Sequence, residues 1–187
     1  MINKLEKYVT LKLVIILGAV FAVLYLIINV PILGYFRSCV DGNNYIESNM
    51  FYTPQSLHEL LVAYGESGRS LYIKMSLGFD FIFPLVYSAF LAASIFLVYK
   101  NWRPLKKAWL KIGLIMGIVI CFSDFLENIF LITIILKFPA KMEALSILAL
   151  CATIIKSVLT VSAAALVIIG LIGLLIRKIQ SRNNSAL

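Results

Sequence analysis

Four ionisable side chains interrupt long apolar stretches of this sequence: Asp80, Asp124, Glu127 and Lys156. Each costs ~2.5–3.5 kcal/mol at a bilayer centre on insertion scales, so such groups face a bundle interior or a wet cavity and pair there. Asp124, Glu127 and Asn128 stand at i, i+3 and i+4 and share one helix face. Lys156 lies three residues from Thr153 and four from Thr160. Asp80 precedes Pro84 by four. Proline has no N–H for the carbonyl of residue 80, so the helix is weakened there and a freed carbonyl joins the Asp80 side chain. Tyr87 can add a hydroxyl. Such a set can bind a polar ligand, relay protons, or split two carboxyls into an acid and a base.

The charges of this set do not balance. Three carboxyls facing one ammonium leave an excess of two negative charges, which a low-dielectric site disfavours. A bound proton, a second cation or a cationic ligand must offset it. Arg69 and Lys74 lie close by in sequence and are the candidate cations. Other chemistries lack their residues. The single histidine, His58, excludes a multi-histidine metal site and makes haem ligation implausible. Cys39, Cys121 and Cys151 form no Cys-x-x-Cys pair and define no disulfide framework. No nucleotide-binding P-loop, zinc-protease or nucleophile-elbow motif occurs. The expectation is no metal and no cofactor.

The elements that must carry these residues are membrane helices. Of 187 residues, 61% are apolar or aromatic and 14% are charged, and the mean hydropathy is +0.97. Soluble domains run nearer ~45–50% apolar and ~25% charged. The apolar stretches predict four spans, over about 13–33, 77–99, 108–138 and 144–176. The first is too long for a signal peptide and reads as an uncleaved anchor. Net charge is +8, but eleven of the seventeen Lys/Arg fall in three short flanks. These hold Lys4, Lys7 and Lys12; Lys100, Arg103, Lys106, Lys107 and Lys111; and Arg177, Lys178 and Arg182. Glu6 is the only acid among them. That is the positive-inside pattern, so the basic excess marks cytoplasmic flanks and both termini inside, rather than nucleic-acid binding. Trp102 and Trp109 flank the inner loop as an interfacial belt would.

The last two spans exceed the ~20 residues that cross a bilayer. They are expected to project beyond the outer leaflet and to turn at 137–141. An exterior segment, 34–76, is available to pack on them. It is turn-rich at Asp41-Gly42-Asn43-Asn44 and then holds a short amphipathic helix over about 54–64. Thr53 suits its N-cap and Pro54 its first position. Leu57, Leu60, Leu61 and Tyr64 form its apolar face. Gly65 and Gly68 are expected to end it. Gly113 and Gly117 on span three, with Gly170 and Gly173 on span four, predict close packing of those two helices, with a homodimer seam as the alternative.

Depth counting brings the polar groups together. At 1.5 Å per residue from each cytoplasmic end, Asp80 and Glu127 lie roughly 28 Å in, Lys156 roughly 31 Å, Asp124 roughly 24 Å and Asn29 roughly 25 Å. Four helices thus contribute to one layer near the outer edge of the hydrocarbon.

The stretches Tyr64-Gly65-Glu66-Ser67-Gly68-Arg69-Ser70-Leu71-Tyr72, Asp80-Phe81-Ile82-Phe83-Pro84-Leu85-Val86-Tyr87 and Asp124-Phe125-Leu126-Glu127-Asn128 resemble a group of uncharacterised bacterial four-helix membrane proteins. The resemblance implies no activity. It suggests that Arg69, Tyr72, Asp80, Pro84, Tyr87, Asp124, Glu127 and Asn128 belong to one site.

The sequence therefore predicts an all-α integral membrane bundle of four transmembrane helices with a small extracytoplasmic cap, one domain over 1–187, in the cell membrane. Its expected site is Asp80, Asp124, Glu127, Asn128, Lys156, Arg69 and Tyr87. The first functional expectation is a binding or sensing module, open to membrane lipid, for a small polar or lipid ligand. The alternatives are an intramembrane enzyme acting on a lipid, a proton-coupled transporter, and an accessory subunit with a partner membrane protein. No catalytic residue is assigned.

Overall fold

A computed structural model describes residues 7–48, 51–100 and 106–184. The chain is all-helical, with no strand among the described residues. Three helices are long and apolar enough to cross a membrane: Leu11–Cys39, Lys107–Leu136 and Glu143–Gln180. A fourth crossing exists only if a bent pair, Gly65–Gly78 and Phe83–Tyr99, counts as one span; its halves meet at 43°.

Helix α1 (Leu11–Ile27) starts where the Thr10 hydroxyl accepts a hydrogen bond from the Leu13 N–H at 3.2 Å. Pro31 does not stop it. The helix widens into a π turn at Ile28–Ile32 and resumes as α2 (Leu33–Cys39), six residues past the expected end. The wider turn re-pairs backbone groups around a residue that cannot donate. The chain then reverses through Asp41 (φ 49°) and Gly42 (φ 80°) and enters a 3₁₀ turn at Ile46–Ser48.

Helix α3 (Pro54–Ala63) has the expected start. The Thr53 hydroxyl accepts from Ser56 N–H, and the Ser56 hydroxyl accepts from Thr53 N–H. Such a reciprocal cap contributes about 1 kcal/mol. Leu57 and Leu61 are buried. Gly65 (φ 63°) turns the chain into α4 (Gly65–Gly78). Gly68 lies inside α4 instead of ending α3; a Cβ there would stand 2.6 Å from Val40 Cγ1.

Helix α5 (Phe83–Tyr99) follows a four-residue break at 79–82. Pro84 sits in its first turn, where its missing N–H costs least. Helices α6 (Lys106–Leu136) and α7 (Glu143–Asn184) form a hairpin through 137–142, with a cis bond before Pro139.

The packing corrects one expectation. Helices α6 and α7 pack extensively on each other as expected, but the span-three glycines lie against α5 instead of at that seam. A Cβ on Gly113 would lie 2.9 Å from Ala92 O, and one on Gly117 would lie 3.1 Å from Ser88 O. Gly170 of α7 also faces α5, where a Cβ would lie 2.1 Å from Val98 Cγ1. Small residues on both neighbours thus seat α5, which carries the bulkier partners Ile95, Val98 and Tyr99. Trp109 stacks on Tyr99 at 4.0 Å and so packs inward instead of forming part of a belt; Trp102 lies outside the described residues.

Helix α1 is peripheral. None of its residues is buried, and its main packing is on α5, through Gly18 against Phe90 and through Phe21 stacked on Phe83 and Phe90. Two cores result. One holds Ile95, Val98, Tyr99, Ile120 and Ala163. The other joins Phe36, Tyr45, Leu57, Leu61, Tyr64 and Tyr72 to Leu131, Ile134 and Ile135 of α6 and Ala149 of α7. The 36–75 segment therefore packs on the hairpin end of α6 and α7.

Candidate functional site

The polar residues converge between these two cores. The Lys156 ammonium lies 3.0 Å from Asp124 Oδ1 and 2.5 Å from Glu127 Oε2. Asp124 and Glu127 reach it because i, i+3 spacing puts them on one face of α6. A third carboxylate arrives from outside the long helices: Glu47 Oε2, 3.0 Å from the same nitrogen. The Lys156 side chain is 13% exposed and that of Glu127 0%, so the ammonium is held by opposite charges in a largely dry setting.

Neighbouring donors complete the cluster. The Tyr87 hydroxyl donates to Asp124 Oδ2 at 2.8 Å, and the Thr153 hydroxyl donates to Glu127 Oε1 at 2.7 Å. Asn128 Nδ2 donates to Asp124 Oδ1 at 3.4 Å and to the Asp80 carbonyl at 3.1 Å. That carbonyl is the one left without an N–H by Pro84. A buried amide thus meets the acceptor that the broken helix frees.

The Asp80 side chain turns the other way. Its Oδ2 accepts from the Tyr45 hydroxyl at 2.7 Å, and Tyr45 also meets Ser76 Oγ at 2.9 Å. Burial pushes the Tyr45 phenol well above its ordinary pKa, reinforced by the charges of Asp80 and Glu47, so it keeps its proton and acts as a donor. Burial likewise pushes Tyr52 up to about 12. Seven buried side-chain polar atoms have no hydrogen-bond partner among the described residues, and four of them, Glu47 Oε1, Asn128 Oδ1, Tyr52 Oη and Tyr72 Oη, belong to the cluster or to the segment packed on it and make no ion pair.

A cavity of about 570 Å³ opens beside the cluster, between α1, α5 and α7. Its polar end is lined by Glu47, Asp80, Tyr87, Asp124 and Lys156. Its walls continue as Phe21, Phe83, Phe90, Leu91, Val161 and Ala164. The volume and the mix of apolar wall with a few convergent polar groups are those of a small-molecule site. Oxygens of Glu47, Asp124 and Glu127 also lie within 4.8 Å of one another, a spacing a hard cation can use. In this structure the Lys156 ammonium takes that position.

Of the expected site residues, the structure brings Asp124, Glu127, Asn128, Lys156 and Tyr87 together, with Asp80 attached through its carbonyl. Arg69 is not part of the group. Its guanidinium donates to the Leu61 carbonyl at 2.8 Å and lies over the Phe138 ring at 4.0 Å, so it ties α3 and α4 to the hairpin turn. Lys74 is exposed and supplies no counter-charge either. Asn29 is exposed, and its amide donates to the Tyr25 carbonyl of its own helix at 2.9 Å. Tyr72 is fully buried and stacks on Tyr45 at 4.4 Å, behind the cluster.

Sequence reasoning missed Glu47 and Tyr45. Glu47 is one of four acids in the 34–76 segment, and no spacing rule singles it out. Its only local sign is its place beside Tyr45 and Ile46, both buried. Comparison with protein-family models, curated proteins and solved structures gives no match to this chain.

Proposed function

We propose that the chain crosses the cell membrane four times with both termini in the cytoplasm, the bent pair α4–α5 supplying the second crossing and the 36–75 segment forming an extracytoplasmic cap. In this reading the protein is a binding or sensing module. Its cavity takes a membrane-borne ligand, with a polar group against Asp80, Glu47 and the Lys156 cluster and an apolar body along the aromatic wall. The observation that carries the reading is the continuity of one cavity from buried ion pairs to apolar walls. The small contact of α1 with α7 supports a lateral entrance between those helices.

The alternatives draw less support. A proton path to the cytoplasmic side would pass Ile95, Val98, Ile120 and Ala163, which are buried and apolar. An acid–base pair made of Asp124 and Glu127 would need carboxyls free to exchange protons with a substrate, whereas both are tied to Lys156. For homodimerisation, Gly113, Gly117 and Gly170, which would form a seam, are occupied by α5.

Native mass spectrometry of gently extracted protein tests the reading, with Ala164→Phe as the variant that fills the apolar wall. A stoichiometric adduct on the wild type that is lost from Ala164→Phe is expected. Bound mass that is identical in both proteins indicates annular lipid and contradicts the proposal.

A further inference from the structure

The charge pattern of the cavity narrows its occupant, and the inference rests on the binding reading above. Four carboxyls, Glu47, Asp80, Asp124 and Glu127, gather at or beside the polar end. Among the described residues, the only cation lining the cavity is Lys156, already within 3.0 Å of three of them. Asp80 lines the cavity and makes no ion pair among the described residues. Glu47 Oε1 is buried without a hydrogen-bond partner. Two carboxylates of the cavity thus hold unused acceptor capacity or charge. Phe83 and Tyr87 stand beside them, and the faces of such rings attract cations.

An anionic head group finds no free cation here. A zwitterionic phospholipid would bring its phosphate into the same acid-lined end, where like charges disfavour it. A neutral alcohol would add no charge and leave the excess to bound protons alone. We propose that the cavity binds an amine-bearing amphiphile without a phosphate, its ammonium against Asp80 and Glu47 and its apolar chain along Phe21, Phe90, Leu91 and Ala164. The ligand then supplies a second cation that offsets part of the carboxyl excess, and Lys156 remains the fixed one.

Equilibrium binding of oleylamine, oleyl alcohol and oleic acid to the full chain in phosphatidylcholine nanodiscs, corrected for empty nanodiscs, tests this. The three probes share a chain and differ in head charge. Saturable binding of one oleylamine per chain is expected, at least about tenfold tighter than oleyl alcohol, a difference of ~1.4 kcal/mol. Asp80→Asn should remove that preference while leaving alcohol binding in place, and Ala164→Phe should weaken all three probes. If oleyl alcohol or oleic acid binds the wild type as tightly as the amine, the cationic assignment fails and the pocket reading stands. If no probe saturates, or if Ala164→Phe changes nothing, the pocket reading itself fails and the inference with it.

Discussion

Replacing Lys156 by methionine keeps much of the side chain's apolar length and removes the one charge that holds Glu47, Asp124 and Glu127 together. The three distances are 3.0, 3.0 and 2.5 Å, and Glu127 has no exposed surface. Removing one partner of a buried ion pair costs about 3–5 kcal/mol, because the remaining charge is stranded. For a chain of this size each kcal/mol moves Tm by about 2–4 °C, so the expected drop is about 6–20 °C. The cost belongs to the stranded carboxylates, so neutralising them should reverse it. Adding Asp124→Asn and Glu127→Gln to Lys156→Met should restore at least half of the loss, since neutral replacement of a whole buried ion cluster is often near neutral in stability. Thermal unfolding of the purified protein in detergent, followed by helical circular dichroism at constant pH, reads both effects. A Lys156→Met protein melting within about 2 °C of the wild type refutes the reasoning, being under 1 kcal/mol. A triple variant melting below the single one refutes it as well.

Three other predictions concern the scaffold. Gly170→Ala puts a Cβ 2.1 Å from Val98 Cγ1 and should cost about 1–3 kcal/mol by overpacking, whereas Gly34→Ala meets nothing within 4 Å and should cost no stability; paired melts compare them. Burial raises Tyr45, Tyr52 and Tyr64, so above the ordinary tyrosine pKa the unfolded chain binds fewer protons than the folded one and stability falls as pH rises. Alkaline titration of tyrosinate absorbance should accordingly show a late, cooperative group that ionises with loss of the 36–75 packing, between about 10 and 12. If both termini are inside, a membrane-impermeant maleimide should label exposed Cys39 on intact cells and should reach an introduced Lys107→Cys only after permeabilisation; the reverse pattern contradicts the topology.

Local chemistry made much of this legible in the sequence. The Thr53 cap with Pro54 behind it, the Pro84 break with its freed Asp80 carbonyl, and the shared face of Asp124, Glu127 and Asn128 all follow from residue type and short spacing. Depth counting was enough to put Lys156 at the level of the α6 acids, since straight helices convert residue number into height. It failed for Asn29, because height says nothing of azimuth and α1 presents that residue outward. Glu47 was invisible because it reaches Lys156 across 109 residues of chain from a 3₁₀ turn, with no periodicity to report its direction. Arg69 illustrates the same limit: its charge suited the acid layer, but a buried carbonyl and an aromatic face lie closer. The glycines announced a close approach, but the partner read for them, the other glycine-bearing span, is not the one they meet. Their actual partner is α5, whose small residues Ser88 and Ala92 meet Gly113 and Gly117.

The convergence of Glu47, Asp124 and Glu127 on Lys156 builds the polar end of the cavity. A lipid-soluble carbodiimide applied to the protein in membranes tests it by coupling carboxyls to an amine in direct contact, with no spacer. Peptide mass spectrometry should then find Lys156 joined through an amide to Glu47, Asp124 or Glu127, including the link from Glu47 in the 3₁₀ turn to α7. Recovery of Lys156 unlinked, with carbodiimide adducts on the α6 carboxyls alone, would contradict the account.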